Sequence, residues 1–269
     1  MNQKANTELP VSGPIPMERS QRLAVAHQVS DQLQQHYQGQ VRAIGIFGSV
    51  AREVDGPYSD IELYCVLQGN NIETAYEWTT GSWKCLVNIY SEDIMLRDAG
   101  IIDETWPFVQ SGYVFIKTLY DPDDIFPRLR EIALKPRPSE FKEAVRNLIV
   151  GDLYETVGKI RNAHVLGLSS SFPMLAVELA KSGACLIGLA NQHLYTSYST
   201  LLEESMQIGS RPEGYDDLCK MVISGRLENS YEIVNLANRL WDGIESWAAQ
   251  NGIEIYDRLE ALLREQETQ

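Results

Sequence analysis

Three patterns within Ile44–Glu62 (IGIFGSVAREVDGPYSDIE) have residue types and spacing that could do chemistry. The apolar run Val41–Phe47 stops at Gly48-Ser49. A glycine there lets the backbone approach a ligand closely, backbone N–H groups at the start of a helical turn bind phosphate, and the Ser49 hydroxyl adds a donor. Arg52 follows three residues after Ser49, in reach of phosphate oxygens. Ser59-Asp60-Ile61-Glu62 then opens a second apolar run. Alternation along a strand puts Asp60 and Glu62 on one face. Two adjacent carboxylates are unfavourable without a cation between them, and Mg²⁺, which takes one or two carboxylates plus substrate phosphates, suits such a pair. Singly these signals are weak, because Gly-Ser is common in turns and Asp-x-Glu on a strand is usually a solvated edge. Together they describe a phosphate-binding turn facing an acidic pair.

A second constellation is Asp152, Glu155 and Lys159, at i, i+3 and i+7 on one helix face. A solvated Glu–Lys pair and a functional surface both fit that spacing.

These groups need elements to hold them. Leu23, Ala26, Val29 (or Ser30), Leu33 and Tyr37 recur at helical spacing and predict a helix over 17–37. The runs Val41–Phe47, Ile61–Leu67, Trp83–Tyr90 and Tyr113–Leu119 predict strands, and Asp55-Gly56-Pro57 a turn. Trp78 and Trp83 flank Thr79-Thr80-Gly81-Ser82, a loop between anchors or a stacking platform. After Pro136-Arg137-Pro138 the periodicity becomes helical. Phe141, Val145, Leu148, Leu153 (with Ile149), Val157 and Ile160 form one stripe to about Val165, and further helices are expected over 173–191, 199–208, 214–224 and 231–250. Trp241 and Trp247 lie on the apolar side of the last helix, as core or dimer contacts. Two domains follow, an α/β half over 1–137, with 1–15 a polar arm, and an all-helical half over 138–269.

The 269 residues carry 23 Lys+Arg and 37 Asp+Glu, a net charge of −14, which opposes binding to nucleic acid or to an anionic membrane surface and would attract a cationic small molecule. The acidity is spread: 12 basic and 18 acidic residues over 1–137, and 11 and 19 over 138–269. Cys65, Cys85, Cys185 and Cys219 are too sparse for a disulfide framework. His27, His36, His164 and His193 have no metal-ligand spacing, so no zinc site is expected. The stretch Phe172–Leu189 contains Glu178 and Lys181 and reads as a core helix, not a membrane span. The amino-terminal residues lack the apolar core of a signal peptide, and a cytoplasmic protein with reduced thiols is expected.

The segment from the Gly-Ser turn to Asp-x-Glu resembles the signature of the polymerase-β-like nucleotidyltransferases, and more narrowly the kanamycin-type aminoglycoside 4′-O-nucleotidyltransferases. The stretches AIGIFGSVARE, DGPYSDIEL, YEWTTGSWK, VNIYSE, GKIRN, SGACLIGLANQHLYT and GYDDLCKMVISGRL carry the resemblance, from about Val41 to Trp247. It implies an α/β nucleotidyltransferase domain with a mixed sheet and flanking helices, followed by an all-α helical bundle. It also implies transfer of a nucleoside monophosphate from ATP, or another NTP, to an aminoglycoside hydroxyl, with antibiotic resistance as the outcome. Gly48, Ser49, Arg52 and Ser59 would then bind the nucleotide, and Asp60 and Glu62 would bind Mg²⁺. Glu155 would be the general base and Lys159 a phosphate-binding lysine. Glu77 and Lys84, with Glu62, Asp152 and Glu155, would line the acceptor pocket, and Ser197 would lie near the nucleotide. The family works as a homodimer, which implies that Glu155 and Lys159 act on the other copy's site. One departure stands out, since Leu86 occupies a strand position where the resemblance leads one to expect an acid. Two other readings stay open: a nucleotidyltransferase acting on protein or RNA, which the acidic charge disfavours, and a non-catalytic toxin–antitoxin-like module, which the intact Asp60, Glu62 and Glu155 disfavour.

Overall fold

The apolar runs Val41–Phe47 and Ile61–Leu67 become β1 and β2 of a five-stranded sheet, joined by β3 (Glu73–Thr79), β4 (Lys84–Ser91) and β5 (Lys117–Tyr120) in the order β3-β4-β2-β1-β5. The computed structural model describes residues 13–257. Only β2 and β4 run parallel; the other pairs are antiparallel. One face of the sheet is apolar: Ile44, Ile46, Ile61, Leu63, Cys65, Cys85, Val87 and Ile89 pack with Ala26 and Val29 of helix α1 (Arg19–Tyr37). Fully burying one aliphatic side chain of this size is worth about 1.5–3 kcal/mol, so this face fixes the register of the central strands. The opposite face carries Phe47, Glu62, Leu86 and Glu77, aligned across β1, β2, β4 and β3.

Helices α2 (Glu92–Asp98) and α3 (Ile125–Ala133) complete this first unit, which comprises the described residues up to Ile101 and Gln110–Lys135. The second unit holds Ile102–Val109 and the residues from Pro136 onward. The division expected at 137/138 thus omits an excursion: residues 102–109 group with the helices. Trp106 explains it. Its ring is buried in the helical core, edge-on to Phe141 with centroids 4.7 Å apart, and the Tyr195 N–H donates to the Pro107 carbonyl.

The helical unit contains α4 (Pro138–Leu148), α5 (Tyr154–Leu166), α6 (Phe172–Ala190), α7 (Tyr215–Ser224) and α8 (Ser230–Gln250), with a short helix at Leu201–Ser205. The apolar helix α6 is long enough to cross a membrane, but it is mostly buried within this unit. Its glycines admit neighbours: a side chain at Gly183 would run into the Tyr215 ring.

Two expectations change, and one further strand appears. The stripe from Phe141 to Ile160 is not one regular helix, because residues Ile149–Leu153 form a π-helical turn between α4 and α5. The expected strand Tyr113–Leu119 begins instead as a helical turn, Ser111–Val114, and only Lys117–Tyr120 pairs with β1. All four residues of that turn are buried, with the Tyr113 ring stacked 5.8 Å from that of Tyr64. An apolar run of this length does not by itself distinguish strand from buried helix. Strand β3 has no apolar run to announce it, since all seven residues are exposed. The expected arm at 1–15 lies outside the described residues for 1–12, while the Ile15 N–H donates to the Ser82 carbonyl at 2.9 Å.

A packing test follows from Gly243 on α8, where an added Cβ would lie 2.1 Å from the Glu213 carbonyl oxygen. Glycine-to-alanine in a helix ordinarily adds up to about 1 kcal/mol of stability. Gly243→Ala will instead lower the denaturant midpoint, with stability reduced by on the order of 1–3 kcal/mol through overpacking. A midpoint that rises would show that α8 does not lie against residue 213.

Candidate active site

The sheet topology brings four strand ends together. Strand β1 ends where the antiparallel β2 begins, pairing Phe47 with Glu62. β4 starts beside β2 because the two are parallel, pairing Ile61 with Cys85, and β3 ends opposite the start of β4, pairing Thr79 with Lys84. Gly48, Ser49, Arg52, Asp60, Glu62, Glu77 and Lys84 all project from this one end of the sheet.

Gly48 occupies the left-handed region at φ +71°, and a Cβ on it would lie 1.8 Å from Glu62 Oε2. A side chain there would be strained by the left-handed backbone and would have to displace the Glu62 carboxyl. The chain passes directly over the Glu62 carboxyl and enters a single helical turn, Gly48–Ala51. Arg52 closes the turn: its backbone N–H donates to the Gly48 carbonyl at 3.3 Å and its Nε–H to the same oxygen at 3.4 Å. Ser49 is half-buried, and its carbonyl accepts from the Val54 N–H at 3.1 Å. Ser59 Oγ accepts from the Gly56 N–H at 3.0 Å and closes the turn that leads to Asp60.

Asp60 and Glu62 share a sheet face but not a partner. Lys84 Nζ sits 3.6 Å from Asp60 Oδ2 and 2.5 Å from Glu77 Oε1, bridging the two acids, whereas Glu62 has no ion-pair partner among the described residues. Burial first, and then the charge of Asp60, push the Glu62 carboxyl up to about 7 against the pull of Lys84 and Arg52. The Glu77 carboxylate holds the Lys84 ammonium above its usual range. Leu86 stands between Glu62 and Glu77 in the cross-strand row, half-buried, so the acidic row is interrupted by an apolar side chain.

The donor set fits Mg²⁺. No cluster of three or more metal-ligating side chains exists among the described residues, yet this ion needs only one or two carboxylates when phosphate oxygens supply the rest. A half-buried carboxyl that holds its proton to about 7 beside a second acid has the electrostatics of a cation site.

Asp152, Glu155 and Lys159 lie in the helical unit. Asp152 is in the π turn, and Glu155 is the second residue of α5, which follows that turn directly. Glu155 Oε1 and Lys159 Nζ are 3.0 Å apart, both well exposed, and Glu155 holds the Lys159 ammonium above its usual range. Turns of this kind frequently mark functional positions. Ser197 caps the short turn Tyr198–Thr200, and His164 stands edge-on to Tyr231 at 5.2 Å. Sequence reasoning missed the Lys84 bridge, which depends on β3, and the close approach of Gly48 to the Glu62 carboxyl.

Over most of its length the chain is similar to known proteins. The family described as the KNTase C-terminal domain matches residues 123–254. Two relatives named aminoglycoside nucleotidyltransferase (4′), one from a Bacillus species and one from Staphylococcus aureus, are each 37% identical over 242 residues, covering 90% of this chain and 96% of the relative. A solved nucleotidyltransferase-like protein from Exiguobacterium sibiricum superposes with a TM-score of 0.51 at 12% identity, over 83% of this chain and 74% of its own, and so shares the fold.

The Glu62 environment predicts a pH dependence. A carboxyl with raised proton affinity in the folded state stabilises the fold below its unfolded value, and that contribution is lost as pH rises through the folded value. In metal-free protein Glu62 therefore lowers stability progressively from its usual 4.5 to about 7. Glu62→Gln will raise the urea midpoint clearly at pH 8 and far less at pH 5. Equal shifts at both pH values would contradict the environment described.

Proposed function

This chain belongs to the aminoglycoside nucleotidyltransferase (4′) family, and on that footing we propose that it transfers a nucleoside monophosphate from ATP, or another nucleoside triphosphate, to the 4′-hydroxyl of an aminoglycoside, releasing pyrophosphate and conferring resistance. It is an enzyme of the nucleotidyltransferase type. The observation that carries the finer reading is the Gly48 turn lying on Glu62, with Asp60 on the same sheet face.

Gly48 and Ser49 hold the triphosphate, Arg52 supplies a cationic donor, and Ser59 supports the turn that presents Asp60. Asp60 and Glu62 hold Mg²⁺, which when bound would offset the charge of the phosphates and of the departing pyrophosphate. Glu155 Oε accepts the proton of the acceptor hydroxyl as its oxygen forms a bond to the α-phosphorus and the bond to pyrophosphate breaks. Lys159 Nζ, kept protonated by its acidic neighbour, faces the phosphate oxygens. The chemistry consists of positioning and electrostatics, as in other phosphoryl transfers. Glu62, Glu77 and Asp152 offer carboxylates to the acceptor's ammonium groups, with Lys84 balancing Glu77 and Asp60 until substrates arrive. The family resemblance supports a homodimer in which the helical unit of one copy supplies Glu155 and Lys159 to the α/β unit of the other. The net charge of −14 supports a polycationic acceptor over RNA.

The test is incubation with α-labelled ATP, Mg²⁺ and a panel of acceptors. Label and pyrophosphate will appear with aminoglycosides bearing a 4′-hydroxyl and not with 4′-deoxy compounds, tRNA or protein. Asp60→Asn and Glu155→Gln will each lower kcat by at least about 100-fold, the range for losing a general base or charge stabilisation. Wild-type rates in both variants would sink the mechanism, labelled tRNA would sink the acceptor class, and undiminished turnover of the 4′-deoxy compound would remove the 4′ assignment.

A further inference from the structure

A buried charged pair joins helix α1 to the loop that links the two halves of this site. Arg22 on α1 is 2% exposed, and the Asp55 side chain is fully buried. Arg22 Nη2 and Nε donate to Asp55 Oδ2 at 2.5 and 3.0 Å, and Nη1 donates to the carbonyl oxygens of Met17 at 2.8 Å and Pro57 at 3.2 Å. Arg19 holds the other oxygen, with its Nε 2.7 Å and Nη2 2.5 Å from Oδ1. Burial alone would raise the Asp55 carboxyl, but the bonds from Arg22 and Arg19 hold it below the usual range.

Burying an ion pair is a poor way to gain stability, since packed apolar groups of the same volume often serve as well or better. What such a pair can supply is one defined arrangement. Here that arrangement is the loop from Arg52 to Ser59, which joins the Gly48-Ser49 turn to Asp60. The loop has little packing of its own, because Glu53, Val54, Gly56, Pro57 and Tyr58 are all exposed. It also holds Glu53 at φ +62°, a conformation that non-glycine residues seldom adopt. Just before Asp55, the Glu53 and Val54 N–H groups donate to the carbonyls of Val50 and Ser49 at 3.3 and 3.1 Å. Just after it, the Ser59 N–H donates to the Gly56 carbonyl at 3.1 Å in the turn that delivers Asp60. The Met17 N–H donates to the Pro57 carbonyl at 2.8 Å, so the start of α1 is pinned to the same turn.

We propose that Arg22 and Asp55 are positioning residues that fix the spacing between the phosphate turn and the Asp60/Glu62 pair. The inference rests on reading that pair and turn as the nucleotide site, while the clamp itself can be tested without turnover. The full-length protein is compared with Asp55→Asn, Arg22→Gln, the double variant, and Val29→Ala, a core truncation two turns along α1 from Arg22 that controls for lost packing of that helix. In nucleotide-free protein, hydrogen exchange in peptides spanning 52–60 will speed up by about tenfold or more in the clamp variants while β2 and β4 keep their protection. The KM for ATP will rise about tenfold with the acceptor KM within about twofold, and the double variant will be no worse than either single one. Val29→Ala will change neither the loop exchange nor the ratio of the two KM values. Where Asp55→Asn does not fold, Arg22→Lys, which keeps the charge and loses the fork, gives the same readouts more mildly. Unchanged exchange over 52–60 overturns the proposal, and so does faster exchange spread over the sheet as in the control, or additive effects in the double variant. If the wild type labels no aminoglycoside, the functional reading fails, and the exchange data still decide the clamp.

Discussion

The approach of Gly48 to the Glu62 carboxyl is the constraint on which the site depends. It exists because β1 runs antiparallel to β2, so the end of one strand meets the start of the other. Everything at this end of the sheet follows from that meeting. The turn after Gly48 presents Ser49 and Arg52, the strand after Ser59 presents Asp60 and Glu62, and the parallel pairing of β4 adds Lys84 beside Asp60. The register is set from the opposite face, where Ile46, Leu63 and Val87 pack in the core shared with α1. A slip by one residue would bury the carboxylates and expose the aliphatic side chains.

The two acids of this site are treated differently by their surroundings. Asp60 is paired with Lys84, whereas Glu62 has no ion-pair partner among the described residues and retains its proton to about 7. A group in that state favours an incoming positive charge, because ionisation then becomes favourable in place of costly. Glu155 and Lys159 are in the opposite condition, exposed and paired with each other in the helical unit. Screening by solvent makes such a pair nearly neutral for stability, so its placement beside the π turn is informative and its strength is not.

Local pattern made much of this legible. Strands β1, β2 and β4 are apolar runs ended by turn residues, and the Gly48–Glu62 motif is contiguous, so spacing alone relates its parts. The last helix, Ser230–Gln250, is legible from Ile233, Leu236, Leu240 and Ile244. What stayed hidden depends on tertiary context. β3 is an exposed edge strand held by β4 alone, so it carries no burial pattern. The Ser111–Val114 turn is buried throughout, with Tyr113 stacked on Tyr64. The burial of Arg22 runs against its residue type, because its partner lies 33 residues away. Leu86 was visible as a departure, but its place between Glu62 and Glu77 required the register of three strands.

The central claim is that Glu62, beside Asp60, is held ready for a divalent cation. Calorimetry at pH 7 in buffers of different ionisation enthalpy measures the protons released when Mg²⁺ and a non-hydrolysable ATP analogue bind. The account predicts that the wild type releases about half a proton more than Glu62→Gln, as expected for a carboxyl that titrates at about 7 and ionises on binding. Identical proton release from the two proteins, with the metal–nucleotide complex bound to both, would contradict it.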